Sequence, residues 1–268
     1  MIKLLIGIFL TFFPVLLIAA PLEIKNSSGS VKSYDLKKES FKVKSIEIYE
    51  PHEQKKLIAH GYSFADVMDK LNPKWREREE VLLTCLDGYQ PSIPVDKFLK
   101  YDAYFAVAFE GRDKFYILHP EKKFIPVGPF YMVWKAKDNK AINDISSMWA
   151  YQVKAVEFIQ FSDKFPKMAP PRDSKAQVKN GFLLFREKCM SCHQINGEGG
   201  DMGPELNSPV SVVEYFKPKW LRQWILDPTS VRSKAKMPKL FSKHSKDQSK
   251  VRDIISYLQA MSAKKTSL

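Results

Sequence analysis

The sequence predicts two folded parts of different class, an α+β domain with a mixed or antiparallel sheet followed by an all-α domain. Three observations carry this. Short runs rich in β-branched and aromatic residues recur between Phe41 and Phe161, around one amphipathic segment. From Lys175 onward, apolar residues recur instead at helical spacing. Between the two, Asp163–Ser174 places Pro166, Pro170 and Pro171 within six residues, which stops helix and strand and predicts an extended linker. The predicted organisation is a leader over residues 1–20, an α+β domain over 21–162, a Pro-rich linker over 163–174 and an all-α domain over 175–268.

The leader is read from Lys3, the apolar run Leu4–Ile18 and the small residues Ala19-Ala20, the order of a secretory signal. The run is about 15 residues long and contains Pro14, short of the roughly 20 that span a membrane. Pro21 directly after Ala20 is a poor cleavage context, so cleavage one residue earlier and an uncleaved anchor are the alternatives to a cleaved signal. Export to a periplasm is expected, and it suits a chain with three cysteines in 268 residues and no disulfide framework.

Strands are predicted at Phe41–Tyr49, Glu80–Leu86, Ala103–Phe109, Phe130–Trp134 and Val153–Phe161. Gly61-Tyr62-Ser63 followed by Phe64, Val67, Met68 and Leu71 reads as an amphipathic helix capped by Ser63 with Asp66. His52, His60 and His119 take no role. In the second part, Lys175–Cys192 carries Val178, Phe182, Leu183, Phe185 and Met190 at helical spacing, with Gly181 marking a close helix crossing. Lys219–Leu226 forms a second helix. Ser245 with Gln248 opens the last one, whose stripe is Val251, Ile254, Ile255, Tyr257, Leu258 and Met261. That last helix is the expected crossing partner.

Two of the three cysteines fall in Cys189-Met190-Ser191-Cys192-His193. Two thiols three positions apart on a helix can each add to one vinyl group of a haem, and the adjoining histidine can then offer its imidazole to the iron. A thioredoxin-like dithiol would open a helix after a strand, whereas Gly181–Lys188 before this motif reads as helix and Gly197-Glu198-Gly199-Gly200 after it as loop. Zinc would want a second ligand pair at matching spacing, and Cys85 stands alone and far away. Cys189 and Cys192 are thus the candidate covalent haem attachment residues and His193 an axial ligand.

The chain carries a formal charge of +13. From Arg172 onward there are 18 Lys and Arg against 9 Asp and Glu, so +9 falls on that part and +4 on the rest. A basic face predicts a redox partner with an acidic docking surface, and would also suit peripheral association with an anionic membrane surface. Nucleic acid is not expected, because no basic stripe with interleaved aromatics occurs.

Residues from about 175 to 262 resemble a small class I cytochrome c domain. The matching segments, in order, are Gly181–Phe185, Cys189–His193, Gly203-Pro204-Glu205-Leu206, Trp220–Trp224, Met237-Pro238 and Asp253–Leu258. The resemblance implies one covalent haem c, with the Pro204 carbonyl orienting His193. For the sixth iron ligand, Met190 lies inside the motif, Met202 follows His193 too closely and Met261 sits on the final helix. Met237 matches the family's Met-Pro position, with His244 the runner-up. A thioether opposite His193 raises the potential relative to two imidazoles, and six-coordinate iron points to electron transfer.

The stretch Leu82–Pro94, with Ala103–Phe109, Gly128-Pro129-Phe130 and the strand from Trp149, is similar to sulfite-oxidase-like molybdopterin-binding domains. In catalytic members a strand-end cysteine ligates molybdenum, and Cys85 falls at that place. Asp87-Gly88-Tyr89 departs from the small residues usual there, and no clustered Arg, His and Gly marks a pterin-phosphate pocket. Two readings of Cys85 follow, a buried apolar strand residue or a molybdenum ligand. The expected function is one-electron transfer by a periplasmic monohaem c-type cytochrome, with the N-terminal domain as docking module and without a cofactor of its own. The alternative is a molybdopterin-dependent oxidoreductase whose cytochrome domain accepts the electrons.

Overall fold

A computed structural model describes residues 20–26, 29–119, 124–135, 148–241 and 245–266. The expected leader lies outside the described residues except for Ala20. Among the described residues, the N-terminal part is a mixed α/β unit built on one nine-stranded sheet. Its strands are β1 (Leu22–Lys25), β2 (Val31–Tyr34), β3 (Lys44–Glu50), β4 (Lys55–Ser63), β5 (Glu80–Cys85), β6 (Ser92–Pro94), β7 (Asp102–Phe109), β10 (Phe130–Lys135) and β11 (Ala150–Ile159); β8 (Tyr116–Ile117) and β9 (Ile125–Pro126) form a separate ribbon.

Strand β11 organises the sheet. Val153 pairs with both Phe130 and Cys85, so β10 and β5 lie on opposite edges of β11. Further along, Ala155 pairs with Glu23 and Thr84, so parallel β1 continues the edge that β10 leaves. Strands β7, β4 and β3 extend the sheet beyond β10, and β6 extends it beyond β5. Central strands buried on both faces read as continuous apolar runs, as Phe130–Trp134 does, while outer β3 alternates. Two short helices cover the sheet, α1 (Phe64–Leu71) and α2 (Val95–Lys100). Helix α1 starts as expected, with the Ser63 side chain accepting from the Asp66 N–H at 3.3 Å.

The C-terminal part is helical. Helix α3 (Phe161–Lys164) follows β11 directly, then come α4 (Ala176–Lys188), α5 (Val212–Tyr215), α6 (Pro218–Leu226), α7 (Pro228–Val231) and α8 (Ser245–Ser262). Helices α4 and α8 cross at Gly181, where a Cβ would lie 1.9 Å from the Asp253 carbonyl oxygen. Phe185, Val251, Ile254, Tyr257 and Met261 are buried in this crossing, with Leu221 and Ile225 from α6.

The stretch expected to be an extended linker is packed. Pro166 opens a 3₁₀ turn, Pro166–Met168, a position that proline tolerates because the first turn has no acceptor for its missing N–H. Phe165 and Met168 are buried in the helical core, and the Tyr257 hydroxyl donates to the Met168 carbonyl at 2.7 Å. Prolines excluded a longer helix here but not a compact turn.

At Gly181 the obstacle to a side chain is backbone, which cannot swing aside. Gly181→Ala should therefore force α4 and α8 apart and cost about 1–3 kcal/mol, the usual penalty of overpacking. A fall in the helical part's Tm by circular dichroism checks this, and an unchanged Tm would show that the helices part freely.

Candidate functional site

The Cys189–His193 motif sits on the turn that ends α4, not inside a helix as its spacing predicts. The Cys189 N–H still bonds the Phe185 carbonyl at 2.8 Å, after which Cys192 and His193 both donate their N–H groups to the Cys189 carbonyl at 3.0 Å. Neither sulfur is in a disulfide, since all three cysteines are free thiols. Cys189 is buried and Cys192 half-buried. Burial pushes the Cys189 thiol up to about 12 and the Cys192 thiol up to about 11, so both are neutral.

His193 is held through one ring nitrogen. Its Nδ1–H donates to the Pro204 carbonyl at 2.8 Å. Burial holds its pKa below the usual value, against the opposing pull of that bond, so the imidazole is neutral with Nε2 left as an acceptor. The chain beside Pro204 passes close to the ring. A Cβ at Gly203 would come within 2.5 Å of His193 Cε1, so only glycine admits this approach.

Glu205 is a site residue that sequence reasoning missed. Its carboxylate accepts four backbone N–H groups, those of Asn196 (3.0 Å), Gly197 (2.8 Å), Asn207 (2.7 Å) and Ser208 (3.1 Å). It thereby staples both ends of the loop that carries Pro204. The only signal was its place in Gly203-Pro204-Glu205-Leu206, a segment read for its proline.

A cavity of about 600 Å³ opens beside the motif. Cys189, Cys192, His193, Met237 and Leu240 all line it, so the structure brings the two predicted iron ligands to one space. Of the competing methionines, Met202 is 46% exposed with its sulfur 3.8 Å from Cys192 Sγ, and Met261 is buried in α8. His244 lies outside the described residues. The donor set fits a covalently attached haem: two thiols outside any disulfide, a neutral imidazole with a fixed tautomer, and a thioether facing the same volume.

Cys85 ends β5, is 2% exposed and has a pKa raised by burial and by the charge of Asp87. Both causes favour the thiol over the thiolate that a metal needs. The loop that follows is engaged elsewhere, since the Gly88 carbonyl accepts from the Asp201 N–H and the Gln90 N–H donates to the Ser191 carbonyl. No group of three or more His, Cys, Asp and Glu side chains suited to a metal ion occurs among the described residues. The surroundings of Cys85 thus add nothing to the reading of it as a molybdenum ligand.

Residues 178–262 match the cytochrome c family model, within the stretch where the sequence resembles that family. The C-terminal part is a cytochrome c domain, which implies covalently bound haem c, electron transfer and a redox protein partner. The match does not reach the N-terminal sheet, and the resemblance of that part to sulfite-oxidase-like domains gains no support. A comparison with curated proteins finds no match for the chain.

Glu205→Ala should leave several loop N–H groups without their acceptor and cost about 1–3 kcal/mol. Glu214→Ala removes an exposed, solvent-screened carboxylate paired with Lys265 and should cost much less. Denaturant titrations of both variants check the contrast, and equal losses would contradict the staple.

Proposed function

We propose that this chain is a periplasmic monohaem c-type cytochrome that passes single electrons between redox proteins. The observation that carries the reading is the convergence of Cys189, Cys192, His193 and Met237 on one cavity, with the Nδ1 of His193 committed to Pro204. Cys189 and Cys192 would hold the haem through thioethers, and His193 Nε2 and Met237 Sδ would ligate its iron. When bound, haem supplies a one-electron ferrous–ferric couple. The chain's own residues hold the imidazole neutral and oriented, keep the sulfur of Met237 on the same cavity, and exclude water with the α4–α8 core.

The excess of Lys and Arg after residue 171 supports a partner with an acidic docking surface, and the apolar run Leu4–Ile18 supports export. The N-terminal sheet is the proposed docking module, without a metal of its own.

Elemental analysis of the purified chain beside its haem spectrum tests the reading. One iron and no molybdenum per chain is expected; molybdenum at a matching amount would overturn the assignment of Cys85. Met237→Ala should abolish the near-infrared sulfur–iron charge-transfer band, and its survival would place another methionine on the iron. Electron exchange with an acidic partner should slow several-fold as ionic strength rises and screening shortens to about 8 Å. A flat salt profile would remove the electrostatic docking argument.

A further inference from the structure

The cavity beside the Cys189–His193 motif is not closed by the cytochrome domain alone. Tyr89, Pro91, Ile93 and Pro94, which follow β5, line it from the sheet side, together with Met148. These residues lie outside the family match at 178–262. Pro91 and Ile93 are buried and give the wall its apolar part, while Pro94 is exposed and Ser92 and Glu80 line the cavity beside them.

The wall is fixed to the motif by backbone. Gln90 N–H donates to the Ser191 carbonyl at 2.8 Å and Asp201 N–H to the Gly88 carbonyl at 3.1 Å. The Tyr89 hydroxyl shares a hydrogen bond with the Ser191 side chain. Gly88 sits at φ +88°, where a Cβ would meet Asp201 Oδ1 at 2.1 Å and the Met202 nitrogen at 2.9 Å. Beside them, Arg186 of α4 pairs with Glu80 of β5 at 2.5 Å and stacks on the Phe161 ring. A loop that merely touched its neighbour would need neither a left-handed glycine nor paired main-chain bonds.

We infer that the N-terminal sheet domain is part of the haem pocket, with Gly88–Pro94 as the wall that keeps water from one edge of the haem and Tyr89 as a positioning residue that seats it. The inference rests on the haem reading above. A low-dielectric wall disfavours the more highly charged ferric state, so its loss should lower the reduction potential and open the edge to small oxidants.

The test uses the full-length haem-bearing protein and its Gly88→Ala and Tyr89→Ala variants, with Leu86→Ala as control. Leu86 lies in the same loop but is 59% exposed. Covalent haem is measured first, then the midpoint potential by spectroelectrochemistry and the rate of oxidation by ferricyanide. Both wall variants should show roughly a tenfold higher ferric-to-ferrous ratio at fixed poise, about 59 mV for one electron, and several-fold faster oxidation. Leu86→Ala should behave as wild type. Haem-bearing wall variants with wild-type potential and rate would overturn the wall, as would an equal shift in the control. A wild-type chain without covalent haem would overturn the haem reading itself, and the wall with it.

Discussion

The hydrogen bond from His193 Nδ1–H to the Pro204 carbonyl decides which imidazole nitrogen faces the cavity, and the rest of the site is arranged to keep it. A carbonyl cannot be tuned by its own side chain, so its position depends on the loop that carries it. Glu205 fixes that loop at both ends. Asn207 then ties it to the helical core, its amide donating to the Asn196 side chain and to the Met261 carbonyl, both at 2.8 Å. Asn196 in turn donates to the Lys167 and Lys264 carbonyls. The orientation of one ring is thus referred, through buried amides, to the end of α8 and the 3₁₀ turn at Pro166–Met168. One acceptor in this network, Asn207 Oδ1, is buried without a hydrogen-bond partner among the described residues, so the network is rigid but not fully satisfied.

The same logic joins the two halves of the molecule. Glu80 is 5% exposed, yet its carboxylate meets Arg186 from α4 and the Ser92 hydroxyl from β6. A buried ion pair contributes little net stability, because desolvation offsets much of the attraction, but it penalises any arrangement that separates the charges. Here separation would mean lifting β5 away from α4. Leu82 and Ile159 of the sheet also belong to the helical core, so the seam is apolar as well as ionic. The Pro-rich stretch lies in this seam, which is why it is folded: Lys167 and Met168 both donate N–H groups to the Glu198 carboxylate beside the motif.

Much of this was legible in the sequence, and the failures have physical causes. Helices α4, α6 and α8 announce themselves by periodicity, and the close crossing at Gly181 by a glycine where a helix should not want one. Strand β4 did not, because Lys55–Ser63 lacks clean alternation: its register shifts between His60 and Gly61, and a side chain at Gly61 would collide with the Phe105 carbonyl oxygen. The motif's chemistry was readable from five residues, but its turn conformation was not, since Cys189 and His193 are bonded by main chain that any sequence carries. Glu205 escaped because a carboxylate that accepts backbone N–H groups leaves no pattern in composition. The seam around Gly88 is a contact between distant segments, and spacing along the chain is silent on it.

Burial also separates the chemistries that two neighbouring cysteines permit. A dithiol redox site or a zinc site works through thiolates and needs surroundings that lower the thiol pKa. Around Cys189 and Cys192 the opposite holds, as desolvation raises both and the charge of Asp87 raises Cys192 further. Lys188 opposes the shift at Cys189 without reversing it. A thioether carries no proton and no charge, so the burial that would impair a thiolate leaves it unaffected. The environment of the two sulfurs is therefore compatible with thioethers, whereas a function that uses free thiolates would have to overcome that desolvation.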